Sequence, residues 1–84
     1  MKVQAEISIY PLRTKSLSEP VEEFCRILCA HVLETKTAAM STFISGELSD
    51  LFKACNEAFE QLTQKYQIVM NMKISNACPL NEPK

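Results

Sequence analysis

The chain has 84 residues, 46% of them hydrophobic and 23% charged, and nine Lys plus Arg against ten Asp plus Glu give a net charge of -1. That is room for one small domain, residues 1–84, burying only about 60 to 65% of its surface, so self-association would help it. The composition argues against disorder, the near-neutral charge gives no basic stripe for nucleic acid, and no run is long enough for a membrane span or shaped like a signal peptide, so a cytoplasmic protein is expected.

The first element is the strand "VQAEISIYPL". Alternation puts Val3, Ala5, Ile7 and Ile9 on an apolar face and Gln4, Glu6, Ser8 and Tyr10 on a polar one. The polar connection "RTKSLSE" follows, and then Val21, Phe24, Cys25, Leu28 and Val32 recur at helical spacing. Ser16 with Glu19 forms a capping box, whereas Ser18 as N-cap places Pro20 in the first turn; the second start is preferred because it spares the first intrahelical bond. This helix is expected to run to about His31, where the dipole favours a basic side chain.

"LETKTAAMSTFISGE" is rich in threonine and in β-branched or aromatic residues and is best split near Ala38-Ala39 into an antiparallel pair. In its second half Met40, Thr42 and Ile44 share one face and Ser41, Phe43 and Ser45 the other. Apolar residues on both faces imply that neither side of the sheet is fully open to water. Gly46 is expected to end the strand and Ser49 to cap a helix with Asp50 in its first turn, carrying Leu51, Phe52, Cys55, Ala58, Phe59, Leu62 and Tyr66. Glu47 reads better as an acid facing that helix N-terminus than as a ligand group. "QIVMNMKIS" alternates as a last strand, and residues 76–84, with two prolines and no periodicity, form a surface tail.

The order β-α-β-β-α-β predicts an α+β, ferredoxin-like sandwich: a four-stranded antiparallel sheet with both helices on one face, as right-handed crossovers require. The helix-free face then shows Glu6, Ser8, Tyr10, Asn71, Lys73 and Ser75. Cys25, Cys29 and Cys55 fall at apolar helical positions and read as core packing. A metal site on Cys25, Cys29 and His31 falls short of four ligands.

Function must come from sites rather than from the fold. The loop after the first strand holds no CxxC for a soft metal, Arg13 lacks the glycines of a phosphate-cradling loop, Glu6 and the charge balance oppose base stacking on Tyr10 and Phe43, and no Ser-His or Cys-His partnership is suggested. No enzymatic machinery is visible.

The stretches "AEISIYPL", "MSTFISGEL" and "MKIS", together with their spacing, resemble the small thiamine-binding protein family over Val3 to about Ser75. Where the family usually has glycine after the methionine, this chain has Ser41, and no arginine follows Lys73-Ile74-Ser75-Asn76. The resemblance implies non-enzymatic binding of thiamine or its hydroxymethylpyrimidine half by a homodimer or homotetramer assembled through its sheets, with no other cofactor. An aminopyrimidine suits carboxylate, hydroxyl and amide groups at its edge and an aromatic or methionine side chain over its ring, which makes Glu6, Ser8, Tyr10, Met40, Thr42 and Asn71 the candidate ligand residues. Lys36 or Lys73 would meet a phosphate if the ligand carried one. The alternative is a structural or regulatory homo-oligomer whose polar sheet face is only a subunit interface.

Overall fold

A computed structural model of the chain describes residues 1–31, 33–37 and 41–77. The elements follow the expected order: β1 (Lys2–Leu12), α1 (Ser18–Cys29), β2 (Glu34–Thr37), β3 (Thr42–Glu47), α2 (Leu48–Leu62) and β4 (Gln67–Ser75). The strands form one antiparallel sheet in the order β2-β3-β1-β4. This is the ferredoxin-like sandwich.

Alternation along β1 decides which face the helices cover. Val3, Ala5 and Ile7 are buried, while Gln4, Glu6 and Ser8 on the other face are half-buried. The buried side packs with Ile44 of β3 against Phe24, Ile27 and Leu28 of α1 and Leu51, Ala54, Cys55, Ala58 and Leu62 of α2. Each fully buried Leu, Ile or Phe contributes about 1.5 to 3 kcal/mol relative to an exposed one, so this layer holds the sandwich together. Ile68, Met70 and Met72 of β4 extend it more loosely, half-buried beside the core.

Several local expectations are corrected. The first helix begins at Ser18, not after it: Leu17 occupies the cap position, and the nearest cap-like bond is the one set aside, Glu19 N–H donating to Ser16 Oγ at 3.4 Å. Pro20 is tolerated because the first four helical N–H groups have no intrahelical acceptor. Gly46 does not end its strand; β3 runs through it to Glu47, and α2 starts at once at Leu48 with Ser49 inside the helix. Glu47 is the cap residue, but its carboxylate pairs with the Met1 ammonium at 2.9 Å instead of the helix, and that hydrogen bond and charge hold its carboxyl below the usual range. The backbone closes the same junction, Leu48 N–H donating to the Met1 carbonyl at 2.9 Å.

The second helix ends at Leu62, where the Thr63 hydroxyl donates to the Phe59 carbonyl at 2.8 Å; Tyr66 lies beyond it yet still packs on the core. Cys29 is exposed, so among the described residues only Cys55 is a fully buried cysteine, with Cys25 half-buried, and Cys78 lies outside them. His31 follows α1 and meets Glu57 of α2 at 2.9 Å, an inter-helix tie on top of any dipole effect. The Ala38-Ala39 junction, Met40 and most of the 76–84 tail lie outside the described residues.

Candidate functional site

Strand β1 is longer than its neighbour. Among the described residues β3 pairs with Lys2–Ile7, whereas β4 pairs with Gln4–Leu12. Among the described residues the stretch from Ser8 to Leu12 therefore runs past the end of the β1–β3 ladder, and a cavity of about 350 Å³ lies there. Its apolar wall comes from Ile7, Ile9 and Pro11 of β1 and from Leu17, Val21 and Phe24 at the start of α1; its polar groups are the hydroxyls of Ser8, Tyr10, Thr37, Ser41 and Thr42. That volume is at the lower end of small-molecule pockets, about 300 to 1,000 Å³, and the mix of apolar wall with a few placed polar groups is their usual character. No charged side chain lines it among the described residues. Tyr10, Leu17 and Val21 are exposed apolar residues at its rim.

A second, shallower concavity of about 210 Å³ lies on the helix-free sheet face, beside Glu6, Gln4, Phe43, Lys73 and Ser75. The register explains this grouping. Glu6 stands opposite Phe43 on one side and Lys73 on the other, and Ser8 stands opposite Asn71. In an antiparallel pair directly opposed side chains lie on the same face within contact range.

The structure thus brings Glu6, Ser8, Tyr10 and Asn71 onto one face, as the alternation predicts, and Lys36 and Lys73 share it. Thr42 lies on the other face: it is 4% exposed and its hydroxyl meets Cys25 Sγ at 3.4 Å. Even so, Thr42 lines the larger cavity together with Ser8 and Tyr10 of the opposite face. Met40 lies outside the described residues. Asn71 is exposed and lines neither concavity.

Two features escaped the sequence reading. One is Ser41, whose hydroxyl donates to Glu6 Oε2 at 2.9 Å while also lining the larger cavity. The signal was present, since Ser41 shares a face with Phe43 and so with Glu6, but strand pairing was needed to use it. The other is the apolar wall from α1: Val21 and Phe24 read only as core residues, although the exposed Val21 faces the cavity rather than the core cluster.

The chemistry on offer is binding chemistry. The cavity can sandwich a small planar group between apolar walls and read its edge with hydroxyls, and a carboxylate stands one hydrogen bond behind. No group of three or more His, Cys, Asp or Glu side chains that could hold a metal ion occurs among the described residues, and no helix there is long and apolar enough to cross a membrane.

The sequence model of the family described as "Thiamine-binding protein" matches residues 5–77. The UPF0045 protein MJ1052 of Methanocaldococcus jannaschii is 35% identical over 75 residues, covering 87% of this chain and 75% of that protein. Its crystal structure superposes with a TM-score of 0.84 at 32% identity, covering 92% of this chain and 81% of its own. Streptococcus pneumoniae SP2199 has the same fold at a TM-score of 0.86 and 20% identity, over 96% of this chain and 92% of that one. So does Thermotoga maritima TM0486, which is proposed to act in thiamine biosynthesis or salvage, at a TM-score of 0.80 and 18% identity over 88% of this chain and 82% of that one.

Proposed function

We propose, from the premise that the chain belongs to the thiamine-binding protein family, that it is a non-enzymatic, cytoplasmic homo-oligomer that binds thiamine or its hydroxymethylpyrimidine moiety. The observation that carries this reading is the cavity of about 350 Å³ at the end of β1, apolar in its walls and hydroxyl-lined at its edge. An aminopyrimidine has two apolar ring faces and a polar rim. The faces suit Val21 and Phe24, and the rim suits Ser8, Tyr10, Ser41 and Thr42. A thiazolium cation attached to the ring would gain from Glu6, the carboxylate behind Ser41. Asn71 remains a proposed contact on the open sheet face, and Met40 stays in the proposed set on the motif alone.

Titration calorimetry with thiamine and with hydroxymethylpyrimidine tests the proposal. Binding heat is expected from at least one of them, and Thr42→Val, which keeps shape but removes one hydroxyl, is expected to weaken it about tenfold, the scale of one lost hydrogen bond. No heat at millimolar ligand with folded protein overturns the reading. One observation favours the rival, a purely structural oligomer: Tyr10 and Val69 stand opposite each other on the helix-free face and are 49% and 51% exposed, an apolar pair suited to a subunit contact. In that case Glu6→Gln would change subunit count, whereas a ligand role predicts altered binding at unchanged count.

A further inference from the structure

We infer that Glu6 sets the specificity of the cavity without touching the ligand: it holds the Ser41 hydroxyl as a hydrogen-bond acceptor, so that the site selects a heteroaromatic ring carrying an exocyclic amino group over the same ring carrying an oxo group. The inference rests on the cavity being the ligand site proposed above. Ser41 Oγ donates to Glu6 Oε2 at 2.9 Å, and Ser41 lines the larger cavity while Glu6 opens onto the smaller concavity instead. The two side chains therefore form a relay from the sheet face to the cavity.

A serine hydroxyl has one hydrogen and two lone pairs, and an ionised carboxylate accepts but cannot donate. With its hydrogen committed to Glu6 in a charge-assisted bond, Ser41 presents only lone pairs to the cavity. A ligand amino group is matched by them. A carbonyl oxygen in the same place would oppose lone pair to lone pair and leave both atoms unpaired, which a desolvated site penalises. The ladder sets Glu6 opposite Phe43 in the centre of the sheet, and Ser41 directly precedes β3, two residues before Phe43 and within diagonal reach of Glu6.

The test is calorimetry of hydroxymethylpyrimidine and of its analogue with the amino group replaced by an oxo group, against the unmodified chain, Glu6→Gln, Ser41→Ala and the double variant, with circular dichroism to confirm folding. The glutamine amide is nearly isosteric but can donate or accept, which frees Ser41 to turn its hydrogen into the cavity. The unmodified chain is expected to prefer the amino ligand by at least about tenfold, and each single variant to bring the two ligands within about threefold of one another. Adding Glu6→Gln to Ser41→Ala should change neither affinity further, because Glu6 acts through Ser41. A further loss in the double variant means that Glu6 touches ligand and overturns the relay, as does an unchanged preference in Glu6→Gln. Binding of neither ligand by the folded, unmodified chain overturns the reading of the cavity itself and the relay with it.

Discussion

Cys55 is 3% exposed on the inner face of α2, within the core cluster, and burial alone pushes its thiol up from about 9 to about 11. Desolvation penalises the thiolate, so the folded chain keeps this proton where an unfolded chain would lose it. The sign follows: the contribution of Cys55 to stability is fully present below pH 9 and is lost as pH rises through about 11. Chemical unfolding of the native chain and of Cys55→Ala across this range should therefore show the stability gap between them narrowing as pH rises. The same burial separates the cysteines by reactivity. With iodoacetamide at pH 8, mass mapping should find exposed Cys29 modified before half-buried Cys25, and Cys55 only on unfolding, since the thiolate is the reactive form and must be reached by solvent.

Among the elements, β1 organises the rest, because it is paired on both edges and carries one face of the core and one of the open sheet. It is released into the connection to α1 by Arg13, which sits at φ 57°, in the left-handed region that a side chain with a Cβ occupies at a cost of roughly 1 to 2 kcal/mol. Arg13→Gly removes that cost but adds about 0.5 to 1 kcal/mol of chain entropy, so urea unfolding should show a stability unchanged or raised by about 1 kcal/mol. Arg13→Val, branched at Cβ in the same backbone, should lose at least about 1 kcal/mol. The strain was not readable in "PLRTKS", because Arg carries no left-handed preference, whereas the order of strands and helices was readable from the two periodicities. Helix starts were misread where a tertiary partner replaced the local cap: Glu47 turns to the Met1 ammonium, so Ser49 has no cap to supply. The candidate site was legible by face and not by depth. Alternation alone grouped Glu6, Ser8, Tyr10 and Asn71, but it could not show that among the described residues β1 outruns the ladder with β3, or that Thr42 lines one cavity with Ser8 and Tyr10 from the opposite face.

At the scale of the whole molecule, the two faces of the sheet are unequal. One packs against α1 and α2, while the other has half-buried Gln4, Glu6 and Phe43 at its centre and the half-exposed pair Tyr10 and Val69 toward one end. A chain of 84 residues has little surplus stability to spend on exposing apolar surface, and covering this face with a second copy would bury it at about 25 cal/mol per Å² of apolar area. Sedimentation should accordingly report a dimer or larger assembly for the purified chain. Val69→Lys is the variant that probes this without entering the cavity, since Val69 stands on β4 opposite Tyr10 and does not line the larger cavity. A charge placed there would have to be desolvated in any sheet-to-sheet contact, an uncompensated burial costing several kcal/mol, so the variant should sediment as a monomer. Because Val69 is already 51% exposed, its replacement should leave the circular dichroism of the fold unchanged. If the variant keeps its assembly state, the contact between copies lies elsewhere than the open sheet face. If it becomes monomeric and still binds ligand, the cavity is complete within one chain, and association serves stability rather than recognition.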